Sequence, residues 1–135
     1  MKKISYLSIC ILCICFGFTD DQFLTKSSVK NAITINYTGK FIRGACADNP
    51  CDCKSCYYVF KDARGNEITF DEVDAKIKLQ LLISSKSGEV KPNSKFLNHE
   101  FLVDYVKADC ICIDPDTGGE KVETVLKIVA LKMIK

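Results

Sequence analysis

Apolar and polar residues alternate with a period of two over much of the chain. From Asn31 onward, Ile33, Ile35, Tyr37, Gly39 and Phe41 fall on one side, with Thr34, Asn36, Thr38 and Lys40 on the other. That pattern predicts a half-buried strand, and Gly39 within it predicts a bulge or tight coil. Residues 56–62 and 67–70 bracket Ala63-Arg64-Gly65-Asn66, a hairpin signal in which Gly65 can take a positive φ. Residues 71–83 admit two readings. Val73, Ile77 and Leu81 would share a face of a short helix, whereas Ala75, Ile77, Leu79, Leu81 and Ile83 alternate as a strand; the strand over 75–83 is preferred. Residues 84–94 read as loop. Phe101, Val103, Tyr105, Ile111 and Ile113 keep one parity, which predicts a long strand with Cys110 and Cys112 on its opposite face. After the turn Asp114-Pro115-Asp116-Thr117-Gly118-Gly119, residues 122–134 fit either a helix or a strand. Their β-branched content favours a strand buried on both faces.

The first residues follow a different rule. Met1-Lys2-Lys3 is basic, Ile4 to Phe18 is almost wholly apolar, and Asp20-Asp21 follows. A basic start, a short apolar run and a polar exit describe a secretory signal over 1–19, with cleavage after Gly17 or Thr19. The run falls short of the ~20 residues that a spanning helix needs, so no membrane span is expected in the mature chain. A lipid anchor on Cys10, Cys13 or Cys15 is disfavoured, because Ile9, Leu12 and Ile14 stand where such signals carry a small residue. The segment is bacterial in style. Residues 20–30 read as a polar, flexible lead-in, and 31–135 as a single β domain. The Asn36-Tyr37-Thr38 sequon, mid-strand in such a chain, is discounted.

Export changes the charge arithmetic. The chain has 135 residues with 19 basic and 17 acidic side chains. Losing Lys2 and Lys3 brings the basic count to 17 as well, so the mature domain is neutral. A neutral domain lacks the electrostatic groove that nucleic acid requires. Tyr57, Tyr58, Phe60 and Phe70 therefore read as core before they read as a stacking platform for sugar or peptide.

Six of the nine cysteines lie beyond the signal: Cys46, Cys51, Cys53, Cys56, Cys110 and Cys112. An even number in an exported domain points to disulfides, of which six cysteines allow 15 connectivities. Cys110 and Cys112 would share one face of a strand with Cα atoms about 6.6 Å apart, near the upper limit for a bridge. Each is therefore expected to reach into the loop 44–56, leaving two loop cysteines to pair with each other. Two other chemistries compete. Cys51, Cys53, Cys56, Cys110 and Cys112 could hold Zn²⁺ or Cu⁺ as thiolates. Cys53-Lys54-Ser55-Cys56 matches the C-x-x-C of thiol oxidoreductases but leads into a strand pattern, so the activating helix is missing. His99, the one histidine, reads as an exposed loop residue with no nucleophile beside it. Asp114, Asp116, Gly118 and Glu120 imitate part of a calcium loop but lack its full spacing, and read as a turn.

Five or six strands in this length suggest a small closed or partly open barrel. Asn93-Ser94-Lys95-Phe96-Leu97-Asn98-His99-Glu100-Phe101-Leu102-Val103-Asp104-Tyr105, with Glu123-Thr124-Val125-Leu126-Lys127-Ile128-Val129-Ala130-Leu131-Lys132, resembles the closing half of small exported OB-fold-like domains of Gram-negative envelopes. The resemblance covers about a third of the chain, and the cysteine loop departs from it. It implies a mainly β, five- to six-stranded OB-fold-like barrel with a cysteine-rich loop and room for one short helix. The sequence thus leads to a non-enzymatic, disulfide-stabilised module, periplasmic, surface-exposed or secreted, whose partner is an envelope protein, peptide or glycan. No cofactor is expected, save Zn or Cu on the thiolate alternative.

Overall fold

A computed structural model describes residues 32–49 and 51–135. The signal over 1–19, its cleavage positions, Cys10, Cys13, Cys15 and the lead-in 20–30 lie outside the described residues. The fold is mainly β. Strands β1 (Ile35–Cys46), β2 (Cys56–Lys61), β3 (Glu67–Phe70), β4 (Glu72–Val73), β7 (Glu100–Ile113) and β8 (Glu120–Met133) form one sheet. Its order is β3-β2-β1-β7-β8-β4, and all its pairings are antiparallel except β4 with β8. A separate hairpin joins β5 (Leu82–Ser84) to β6 (Val90–Pro92). The only helical element among the described residues is a 3-10 turn at Asp52–Lys54, and no helix among them is long and apolar enough to cross a membrane.

β1 serves two neighbours in succession. Its first half, Ile35–Lys40, pairs with β7, and its second half, Lys40–Cys46, pairs with β2. The register slips between Phe41 and Arg43, leaving Ile42 unopposed. The bulge thus sits three residues beyond Gly39, where the sequence suggested it, and it bends the strand away from β7. At Gly44 a Cβ would stand 2.6 Å from the Tyr57 carbonyl oxygen, so only glycine allows β1 and β2 to close on each other there.

Phe60 is the hub of the main core. Its ring lies 5.4 Å from that of Phe41, 5.6 Å from Phe70 and 5.9 Å from Phe101, the last two edge-on. Leu81, Val103 and Ile128 complete the buried set. Phe60 and Phe70 are fully buried, so the four-aromatic platform does not form; of that set Tyr57 alone is exposed, at 42 %.

Three sequence expectations change. Residues 75–81 form neither helix nor strand. The Asp74 carboxylate accepts the Lys76 N–H and its carbonyl accepts the Ile77 N–H, turning the chain out of β4. The segment then drops Leu81 into the core, so its alternating apolar residues pack from a loop. Residues 84–94 gain the β5–β6 hairpin, closed at Gly88, whose φ is +85°. Third, β7 is one long strand with the expected parity, but it does not bury one face throughout. Phe101 and Val103 are buried on one face, then Val106, Ala108, Cys110 and Cys112 on the other, leaving Ile111 and Ile113 half exposed. A register shift between Asp104 and Tyr105 leaves Val129 of β8 unopposed at this changeover. Such a bulge raises local twist, and twist turns the ribbon over. Residues 122–134 follow the preferred strand reading, as β8.

The face change is testable by urea unfolding. Phe60→Ala is expected to cost about 3–5 kcal/mol, as for a large core aromatic, whereas Ile111→Thr, on the open face, should stay within about 0.5 kcal/mol. A large loss at Ile111 would contradict the switch.

Candidate functional site

The second buried cluster lies at the far end of the β7–β8 ribbon. Ala108, Cys110 and Cys112 of β7 stand opposite Val125, Glu123 and Lys121 of β8, so all six side chains share one face. Loop 47–55 closes over this face, putting Cys51 into the cluster with Cys53 beside it.

Three disulfides fix that closure. Cys46–Cys56 joins β1 to β2 at a paired register position, with Cα atoms 4.0 Å apart, and so pinches the mouth of the loop. Cys51–Cys112 and Cys53–Cys110 tie the loop to β7 with Cα separations of 4.4 and 6.3 Å. The C-x-C of the loop and the C-x-C of the strand thus meet in antiparallel order. Cys110 and Cys112 do not bond each other. Their Sγ atoms lie 3.8 Å apart, both almost fully buried.

An ion pair seals the edge. Lys54 Nζ lies 2.7 Å from one carboxylate oxygen of Glu123, and Lys121 Nζ lies 2.9 Å from the other. The two ammonium groups, Lys54 first, hold the Glu123 carboxyl at about 2, far below its ordinary 4.5. Glu123 was not legible as a site residue. It follows the strand alternation of β8, and only the β7–β8 register brings it across from Cys110. The tip of the loop is open and acidic: Asp48, Asn49 and Asp52 are exposed, and the Asn49 side chain accepts the Cys51 N–H.

The competing chemistries fare differently. Cys53 and Cys56 belong to different bridges, so the C-x-x-C does not form the mutual dithiol couple that the oxidoreductase reading requires. The thiolate set of Cys51, Cys53, Cys56, Cys110 and Cys112 is divided likewise: Cys56 is held at the loop mouth and the other four meet at β7. His99 is exposed, with its Nδ1–H directed at the Lys135 carbonyl oxygen 3.1 Å away. The Asp114 carboxylate accepts the N–H of Asp116, and the turn closes through Asp114 N–H to Gly119 O at 2.8 Å. That carboxylate is engaged by its own turn. Two small clefts border the loop, one of about 370 Å³ beside Asp48, Asn49 and Asp52 and one of about 240 Å³ beside Cys53 and Tyr58. Larger ones lie away from it, of about 610 Å³ over Ile77, Leu79, Phe96 and Leu131 and of about 660 Å³ beside Lys40, Lys61 and Lys135.

The two staples are redundant in a measurable way. They close chain loops with sequence separations of 61 and 57. With either in place, the other closes only the small ring through 51–53 and 110–112. Treated as loop-closure entropy, loss of one bridge should cost about 2 kcal/mol and loss of the second roughly 4 kcal/mol more. A double-mutant cycle of Cys→Ala pairs in urea checks this; equal, additive losses would contradict it. The Glu123 interaction makes a pH prediction. Its folded pKa lies below the unfolded value, so its stabilisation is complete above about pH 4.5 and disappears as pH falls toward 2. Thermal unfolding of Glu123→Gln should therefore fall below wild type at pH 6, less so in high salt, and converge with it near pH 2.

No known protein family matches this chain, and neither a curated protein nor a solved structure matches it.

Proposed function

We propose that the protein is an exported, non-enzymatic binding module that presents loop 47–55 as a rigid recognition surface. The observation that carries this reading is the threefold covalent fixation of one short loop. Residues that merely fill a core need no such immobilisation, whereas a binding loop fixed in advance loses less conformational entropy on contact. The loop's outward charges, Asp48 and Asp52, suit a cationic peptide or an amine-bearing glycan of the envelope. Three disulfides in so small a domain also fit an oxidising compartment and a signal over 1–19.

The OB-fold-like barrel is part of the same proposal, and strand order supports it. β3 and β4 are the two edges of the sheet, yet only Asp71 separates them in the chain. The Asp71 N–H donates to the Leu126 carbonyl, its carboxylate accepts the Leu126 N–H, and the Asp74 N–H donates to Ile128. Read as one bent strand, β3–β4 links β2 to β8 and returns the order to β1 as a ring.

Export is tested on protein recovered from the producing cell's envelope. Alkylation without reductant should leave the mass six hydrogens light, unmodified and lacking residues 1–19; a retained signal or free thiols would sink the export reading. Binding is tested on arrays of basic peptides and amine-bearing glycans. Asp48→Asn with Asp52→Asn, bridges intact, should weaken the captured ligand at least tenfold; binding indifferent to these changes, or no capture at all, refutes the loop as the recognition surface.

A further inference from the structure

Four sulfurs converge where the loop meets β7. Cys110 Sγ and Cys112 Sγ are non-bonded neighbours at 3.8 Å, and each is bonded to a loop cysteine. The Sγ atoms of Cys51 and Cys112 and a Glu123 carboxylate oxygen all lie within 4.8 Å of one another. A zinc ion held by four thiolates keeps sulfur at about 2.3 Å, which makes each sulfur–sulfur edge of the tetrahedron about 3.8 Å. One such edge already stands between Cys110 and Cys112, on a strand whose partner β8 holds it in place.

From this juxtaposition we propose that, in the reduced protein, Cys51, Cys53, Cys110 and Cys112 form a tetrathiolate site for one d¹⁰ cation of the zinc–cadmium class. The proposal goes beyond the binding-module reading, which concerns the oxidised chain and the outer surface of its loop, and does not rest on it. An external dithiol or phosphine supplies four electrons, and four protons enter from solvent. Two S–S bonds break and four thiols form. Metal binding then forms four metal–sulfur bonds and releases the four thiol protons to solvent. The ion takes over the task of the two bridges, holding loop 47–55 on the face that carries Ala108 and Val125. Four thiolates and a dication leave a net charge of −2; Glu123 at the edge of the cluster adds one negative charge, and Lys54 and Lys121, both paired with it, bring the whole group to −1. Cys46 and Cys56 take no part, since they form their own bridge at the loop mouth.

The test uses the full chain with Cys10, Cys13, Cys15, Cys46 and Cys56 replaced by serine, so that only the four proposed ligands remain. It is reduced anaerobically with a phosphine and titrated with Cd²⁺ alone. Sulfur-to-cadmium charge-transfer absorption should saturate at one ion per chain, protect all four thiols from alkylation and restore the strand signal of the oxidised protein in circular dichroism. Adding Cys110→Ser should lower the affinity at least tenfold. Saturation above one ion, unprotected thiols, a chain that stays unfolded with the metal, or indifference to Cys110→Ser would each overturn the site. Equal binding by the oxidised form would do so too, because its sulfurs are already bonded. None of these readouts depends on a loop ligand, so failure here leaves the binding-module reading to its own experiment.

Discussion

Val106, Ala108, Cys110 and Cys112 face away from the aromatic core, and Ala108, Cys110 and Cys112 are covered by loop 47–55. That loop has little with which to hold itself down. Apart from its cysteines, its sequence offers only Ala47 and Pro50 as apolar residues among Asp, Asn, Lys and Ser. At about 25 cal/mol per Å² of apolar surface, so small an area does not offset the ordering of the loop backbone. The covalent staples supply what burial cannot. Cys51–Cys112 and Cys53–Cys110 fix both the position of the loop and the identity of the face it covers, and the Lys54–Glu123 pair aligns its edge.

The rest of the architecture is arranged around that face change. The main core is self-sufficient, since Phe41, Phe60, Phe70 and Phe101 interlock through ring contacts between four strands. β7 and β8 outrun this core by about half their length, and a ribbon of two strands alone is marginal in water. One of its faces is stapled; the other leaves Ile111 and Val122 paired and exposed. Lys127 marks the transition. It is 9 % exposed and lies on the same face as Val106, where Glu72 and Asp74 neutralise it at 3.1 and 3.7 Å.

Loop 47–55 is bonded at its mouth and twice to β7, so its exposed Asp48, Asn49 and Asp52 are displayed from a nearly rigid frame. A loop held in this way loses little conformational entropy on contact with another molecule. Glu123 contributes a charge and a hydrogen-bond anchor, and it does so far from the clefts over Phe96 and beside Lys135.

Local sequence determined what depends on local chemistry. Period-two alternation marks β1 and β7, and β-branched content marks β8. Gly65 marks the β2–β3 turn, and the strand spacing of Cys110 and Cys112, near the upper limit for a bridge, disfavours a bond between them. The even count of six cysteines, with two fixed on a strand, directs the remaining bonds to the loop, and the structure carries two such bonds and a third within the hairpin. The tertiary structure decided what depends on distant register. Alternation in 75–83 could not reveal a packed loop, because Leu81 is drawn inward by a core assembled from other strands. Which parity of β7 is buried changes at Tyr105, since the slip at Val129 and the arrival of the cysteine loop lie outside any local window. The choice of loop cysteine for each strand cysteine rests on the direction in which the loop crosses β7, and that of Glu123 for Lys54 on the β7–β8 register. Alternation specifies two faces for a strand, but only the elements packed against it specify which face is inside.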